Sequence, residues 1–236
     1  MIEIKNLTHI YKGNIVGIKN INLTIKEGEL VALIGISGSG KSTLLRCINR
    51  LIEPTKGEIL IRGKPILNCT RKEAEHTRKR IGMIFQDFNL LQRSLVIQNV
   101  LVGRLGYSWI YSQKDKEISL ECLRQVGIEE LAYRRVEALS GGQQQRVGIA
   151  RALAQGPTII LADEPVSNLD PTRKKEIVDL ISEIHKREGI TTIISIHDID
   201  IAKKYASRLV GLAKGQIIFD GTSQELSDEK ISDIFA

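Results

Sequence analysis

Gly35-Ile36-Ser37-Gly38-Ser39-Gly40-Lys41-Ser42-Thr43 follows a five-residue apolar run at 30–34 and leads into a helical pattern at 44–51. This is the G-x-x-x-x-G-K-[ST] spacing in its strand, loop and helix context. Glycines let successive backbone N–H groups wrap a phosphate chain, Lys41 meets the terminal oxygens as a point charge, and the Ser42 hydroxyl is placed to ligate Mg²⁺. A second apolar run, 158–162, ends in Asp163-Glu164-Pro165. Carboxylates at the end of a parallel strand face the crevice where open α/β sheets take ligands. Asp163 is expected to hold the Mg²⁺ shell, and Glu164 to orient or deprotonate an attacking water. A pair of acids that only caps the next turn is the plainer alternative.

The third run is Leu139-Ser140-Gly141-Gly142-Gln143, which opens a helical stretch at 143–155. Helix N-termini carry unsatisfied N–H groups and a partial positive charge, so a Ser-Gly-Gly turn there suits an anion at short range. Ser140 and Gln143 also have the spacing of a capping box. The box accounts for those two residues and not for the glycines between them, which are poor helix formers.

Together these runs resemble the ATP-binding cassette family, the ATPase subunits of ABC transporters, over nearly all 236 residues. Four further features carry the resemblance. Tyr11 lies ahead of the first long strand, where the family stacks a ring on adenine. Gln86 follows Ile81-Gly82-Met83-Ile84-Phe85 at the position of the Q-loop. Ser167-Asn168-Leu169-Asp170 resembles the D-loop, and His197 resembles the switch histidine near the γ-phosphate. The resemblance implies ATP and Mg²⁺ as ligands, the metal touching Ser42, Gln86 and Asp163, the last through water. It implies catalytic roles for Lys41, Gln86, Glu164 and His197. It also implies a head-to-tail dimer with a second copy, in which Ser140, Gly141, Gly142, Gln143 and Asp170 reach across to the partner's nucleotide.

The elements that must position these groups alternate in the βα manner of a mostly parallel sheet. Alternating patterns at 2–10 and 18–25 suggest an antiparallel edge layer, and 57–63 reads as a strand. Thr70 and Glu73 are spaced as a capping box for a helix reaching about Lys79. From Ser94 to Gly156 strand signals vanish, and Ile118, Leu123 and Val126 keep helical spacing. The expected fold class is α/β: a P-loop cassette with a RecA-like core at about 1–87 and 157–236 and an inserted helical subdomain at about 88–156. Past Gly221 the reading assigns no further element.

Composition limits the function classes. Cys47, Cys69 and Cys122 are odd in number and lack metal-ligand spacing, which suits a reducing cytoplasm. The opening residues, Met1-Ile2-Glu3-Ile4-Lys5, read as a strand rather than a signal peptide. Apolar runs reach five or six residues, against about twenty needed to span a bilayer. The net charge of +6 gathers at 71–72, 78–80, 134–135 and 173–175, the usual look of solvated helix faces. With 4% aromatic residues there is no stacking ladder for single-stranded nucleic acid, and no nucleic-acid partner is expected.

A lone cassette with no second copy of the motifs is similar to the importer arrangement, in which permease and extracytoplasmic binding protein are separate chains. That places it on the cytoplasmic face of the membrane. Gln86-Asp87-Phe88-Asn89-Leu90-Leu91, Asn99 with the run to Tyr107, 197–206 and 215–221 resemble the phosphonate-importer ATPases. A methionine or polar amino-acid importer is the near alternative, and a soluble ATPase acting on nucleic acid the alternative from another class. Arg93, Arg104, Tyr107 and Trp109 are expected to touch the permease.

Overall fold

A computed structural model describes residues 1–67, 69–105, 111–167 and 169–236. The first part runs β1 (Ile2–Tyr11), β2 (Ile15–Ile25), β3 (Leu30–Ile34), α1 (Lys41–Ile48), β4 (Lys56–Ile61), β5 (Lys64–Pro65), α2 (Arg71–Arg78) and β6 (Ile81–Ile84). Helices α3 (Val96–Leu101), α4 (Gln113–Gln125) and α5 (Gly141–Ala154) follow. The chain then alternates β7 (Ile159–Ala162), α6 (Pro171–Glu188), β8 (Thr191–Ser195), α7 (Ile199–Tyr205), β9 (Arg208–Ala213), β10 (Gln216–Gly221) and α8 (Asp228–Ile234).

Two sheets form. One is antiparallel, in the order β2-β1-β4-β5, and the other has the order β10-β9-β3-β8-β7-β6. In the second sheet β6, β7, β8, β3 and β9 run parallel, and β10 returns antiparallel at the edge. Strands β3, β6, β7 and β8 are buried at every residue, as expected of a parallel sheet covered on both faces.

The period of two then sorts side chains between two cores. Val31, Leu33, Leu161, Ile193 and Val210 face α1 and the antiparallel sheet, packing with Leu44, Leu45, Ile48, Ile4 and Ile21. Ala32, Ile34, Ala162, Ile194 and Leu209 face the other way, in a core that includes Val100, Leu123, Val147 and Ile177 from the helices. Small residues at positions 32 and 162 on that second face leave room for the helices to lie close.

Local chemistry sets several boundaries. Thr70 caps α2 in a reciprocal box with Glu73, as its spacing predicts. Asp170 caps α6, Pro171 occupies its first turn, and Gly189 ends it in the left-handed conformation at φ 63. Helix α1 begins at Lys41 rather than at 44, because Gly40 serves as its N-cap and draws the lysine into the first turn. Helix α5 likewise begins at Gly141 rather than at 143, so both glycines are helical. Helix α8 was not legible in advance, being one short turn-pair capped by Ser227 that buries Ile234 against Gly211. In 85–158 the described residues form one isolated bridge, Leu95 with Arg135, and no strand.

The three cysteines are free, and burial pushes the thiols of Cys47 and Cys122 up to about 12 and about 11. Among the described residues no helix is long and apolar enough to cross a membrane.

Candidate active site

Four C-terminal strand ends converge at the centre of the parallel sheet: the loop after β3, Gln86 after β6, Asp163 and Glu164 after β7, and His197 after β8. The pairings Leu33 with Ser195, Ile194 with Ala162 and Ala162 with Ile84 set these ends side by side. The N–H of Asp163 donates to the Ile84 carbonyl at 2.9 Å, extending the β6 to β7 ladder to the acid itself.

The loop at 35–40 depends on glycine at two close approaches. A Cβ at Gly35 (φ 145) would lie 2.3 Å from the Leu212 carbonyl oxygen, and one at Gly40 (φ 109) would lie 2.7 Å from that of Gly17. Helix α1 opens from this loop with no side-chain cap and no acid in its first turn. Its N-terminal N–H groups are thus left to an anion.

Lys41 is 3% exposed, and its ammonium donates to the carbonyls of Gly35 and Ile36, both at 2.8 Å. Burial holds it below the ordinary lysine value, with Glu164 and Asp163 pulling the other way. Glu164 Oε1 lies 3.7 Å from Lys41 Nζ and 2.6 Å from His197 Nε2. His197 Nδ1 is 3.0 Å from the Gly35 carbonyl oxygen. The imidazole lies between the second acid and the loop, within hydrogen-bond reach of both. The Ser42 hydroxyl donates to Asp163 Oδ1 at 2.6 Å, and Arg46 donates to Oδ2 at 3.3 Å.

These groups border a cleft of about 290 Å³. Tyr11, Ile15, Val16 and Gly17 line it together with Ser37, Gly38, Gly40, Lys41, Ser42 and Thr43 of the loop and α1, and with Gln86 and Glu164. Tyr11 is the last residue of β1 and lies ahead of the longer β2. Its ring lies over Gly17, where a Cβ would come within 2.7 Å, and its hydroxyl is 2.9 Å from Thr43 Oγ1. A larger cleft of about 660 Å³ runs between α4 and the end of α6. Its charged lining residues, Lys114, Glu117, Glu121, Arg124 and Glu188, include none of the motif residues, so size alone does not mark the site.

Two observations test the fit of a nucleotide and its metal. The first turn of α1 offers N–H groups with no side-chain cap beside Lys41, which phosphate oxygens would satisfy. Ser42, Gln86 and Asp163 amount to one hydroxyl, one amide and one carboxylate. No group of three or more His, Cys, Asp or Glu able to hold a metal is present among the described residues. That donor set suits Mg²⁺ arriving with phosphates rather than a resident ion.

The pentapeptide lies elsewhere. Ser140 caps α5, its Oγ accepting from Gln143 N–H at 3.4 Å while Gln143 Oε1 accepts from Ser140 N–H at 3.0 Å. A Cβ on Gly141 would meet Leu169 at 3.5 Å, and one on Gly142 would meet Arg173 at 3.3 Å. The pentapeptide and the Asp170 segment thus share one face of the chain. Among the described residues bordering the Lys41 cleft, none comes from 139–143 or from 169–173. Asn168, Tyr107 and Trp109 lie outside the described residues.

Two side chains escaped the sequence reading. Ser195 stands between the acids, its Oγ accepting from Glu164 N–H at 2.7 Å. Arg151, on α5, donates to the carbonyls of Asn89 and Phe88, at 2.9 Å for the latter, with its guanidinium over the Phe85 ring. It fixes the segment after Gln86, where Phe88 and Asn89 take positive φ. Arg104 is a correction. Expected on a docking surface, it is turned inward at 15% exposure, bonded to Asp115 at 2.8 Å and to the Ala154 carbonyl at 2.9 Å. An Asp within reach and a helix-end carbonyl needing a donor outcompete solvent for it. Arg93 is exposed.

The family model described as ABC transporter matches residues 18–167. The chain is 48% identical to the phosphonates import ATP-binding protein PhnC 2 of Halalkalibacterium halodurans, over all of this chain and 99% of that protein. It is 51% identical to phosphonates import ATP-binding protein PhnC of Shouchella clausii, over all of this chain and 91% of that protein. Among solved structures it resembles the ATP-binding cassette MJ0796, a dimer in a post-hydrolysis state bound to ADP and Pi. The TM-score is 0.85 at 38% identity, covering 94% of this chain and 98% of that one. It also resembles cbiO1 from Clostridium perfringens, part of the ABC transporter complex cbiONQ, with TM-score 0.85, 34% identity and coverage of 98% and 92%.

Proposed function

The chain belongs to the ABC transporter family, and from that premise we propose that it is the ATP-hydrolysing motor of an importer that carries organophosphonate anions through a separate membrane permease. The observation that carries the substrate is the identity of 48–51% over the whole chain to two phosphonates import ATP-binding proteins. The ATPase itself rests on the convergence of Lys41, Asp163, Glu164 and His197 at one strand-end crevice.

Lys41, already buried at the loop, exchanges its two carbonyl partners for phosphate oxygens, and the α1 N–H groups complete the cradle. Tyr11 offers its ring to the base. Ser42, Asp163 and Gln86 would hold the Mg²⁺, which when bound would supply charge neutralisation on the phosphates. Glu164 accepts a proton from the attacking water, and His197 holds that carboxylate beside the loop. Products are ADP and phosphate.

The pentapeptide and Asp170 serve the nucleotide of a second copy, which closes a head-to-tail dimer. Residues 88–156 then form a helical body that the segment after Gln86 couples to the core, 1–87 and 157–236. The motor works on the cytoplasmic face, beside the permease and, through it, an extracytoplasmic binding protein. The test is uptake of a labelled alkylphosphonate in a strain with no second phosphonate importer. Loss of this chain should abolish uptake, and an expressed copy should restore it. Unchanged uptake would overturn the substrate while leaving the ATPase, measured on purified protein, to stand or fall separately.

A further inference from the structure

Ser195 is the last residue of β8 and has no exposed surface. Its Oγ accepts the Glu164 N–H at 2.7 Å and lies 3.3 Å from Asp163 Oδ1 and 3.4 Å from the Ala162 carbonyl oxygen. A hydroxyl has one proton to give, and a carboxylate is the stronger acceptor, so the proton is directed to Asp163. The same oxygen thus takes an N–H from one acid's backbone and donates to the other acid's side chain.

Both acids need that help. Glu164 has φ 47, a left-handed conformation that a non-glycine residue keeps only when its surroundings hold it there. Asp163 Oδ1 is also bonded by Ser42 at 2.6 Å, but the Ser42 hydroxyl is the one required by the metal in the proposed ATPase. Ser195 has no such second task. An apolar residue in its place would fill the strand end equally well and leave the Glu164 N–H buried without an acceptor.

We propose that Ser195 is a positioning residue for both acids: it fixes the Glu164 backbone so that its carboxylate reaches the water, and it holds Asp163 in register for the metal. The inference rests on the ATPase reading for its functional half, while its geometric half concerns the nucleotide-free chain alone. The two halves are separable by experiment.

Hydrogen exchange in nucleotide-free protein reads the geometry. Ser195→Ala should speed exchange at the Glu164 amide by roughly tenfold or more, with the rest of β7 and β8 as protected as before. In the ATPase assay kcat should fall about 10–100-fold with KM for ATP unchanged, and the Mg²⁺ midpoint should rise. Binding of a fluorescent ATP analogue without Mg²⁺ should not move. Ser195→Thr, which keeps the hydroxyl, should restore slow exchange and the Mg²⁺ midpoint. If Ser195→Ala does not fold, Ser195→Cys, a near-isostere and poor acceptor, replaces it. Wild-type exchange at Glu164 together with an unmoved Mg²⁺ midpoint in the variant would overturn the proposal. Absence of ATPase in the wild-type chain would instead sink the reading of the site and leave the exchange result intact.

Discussion

The chain has two glycine-rich helix starts, and they are built in opposite ways. At α1 the glycines of the loop take positive φ and the helix has no side-chain cap. At α5 the glycines are helical, Ser140 and Gln143 cap each other, and the end satisfies itself. The first is unfinished without an anion. The second needs nothing from within its own chain, yet it carries two glycines in a first turn, each costing about 1 kcal/mol against alanine. Gly142 has a reason within the chain, since a Cβ there would press on the Arg173 side chain at 3.3 Å, whereas one at Gly141 would meet Leu169 only at ordinary contact distance. Gly141 alone has no such reason, and the room its missing side chain leaves over the N-terminus is useful to something arriving from outside.

The sharpest break between the two regions is expected at Glu164. Glu164→Gln keeps the shape of the side chain and removes the proton acceptor, so turnover should fall about 10²–10⁴-fold, some 3–5 kcal/mol of barrier, with ATP affinity nearly intact. Lys41→Ala should weaken nucleotide binding itself. Single-turnover hydrolysis with direct binding measurements separates them. Near-normal turnover by Glu164→Gln would remove that residue from the chemistry.

Next in size is the effect of bulk at the self-satisfied end. In the Glu164→Gln background Mg-ATP should drive monomers into dimers, seen by light scattering. Adding Ser140→Arg should abolish this by placing a long cation where the second copy's nucleotide must seat. Lys41 and its cleft share no lining residue with 139–143, so ATP binding by the monomer should persist. Normal dimerisation of the double variant would mean that the pentapeptide works within its own chain.

A subtler variant sets stability against function. Gly141→Ala adds a methyl group to an open helix start, and should stabilise the isolated chain by up to about 1 kcal/mol, roughly 2–4 °C in Tm. The same methyl group narrows the space over the N-terminus, so ATPase should drop several-fold. A variant that gained stability and kept full activity would show that Gly141 serves no approach from outside.

How far these features could be read in advance depended on how local they were. Thr70 with Glu73, Ser140 with Gln143 and the loop ending in Lys41 each signal within ten residues, and the structure has all three. The alternating patterns at 2–10 and 18–25 likewise announced the antiparallel sheet, and the βα alternation the mostly parallel one. Ser195 was invisible because its partner Glu164 is 31 residues away, and nothing local distinguishes a serine at a strand end from filler. Arg151 bonds carbonyls more than sixty residues back. Arg104 was misread for the same reason: surface anchor and inward strut have the same sequence, and only Asp115 and Ala154, brought close by folding, decide between them.

That strut supports the smallest of the expected effects, on the scaffold behind the pentapeptide. Ser112 caps α4 by accepting from Asp115 N–H, and Asp115 returns the bond to Ser112 while pairing with Arg104, which also holds the end of α5. The Ser112 hydroxyl first, and Arg104 after it, draw the Asp115 carboxyl down to about 2. Ser112→Ala should cost the cap about 1 kcal/mol at neutral pH, the ordinary loss for such a change. It should also let the Asp115 carboxyl titrate closer to the usual aspartate value, a shift that carbon-detected NMR follows directly. The sign is that of a depressed acid: its stabilisation is complete above the ordinary value near 4, and is lost as pH falls through about 2. The wild-type advantage over Ser112→Ala should therefore be full at pH 6 and narrow below pH 4. ATPase should barely change, because the cap steadies α4 without touching either helix start. A large loss of activity at unchanged Tm would instead make α4 part of the route between the two regions.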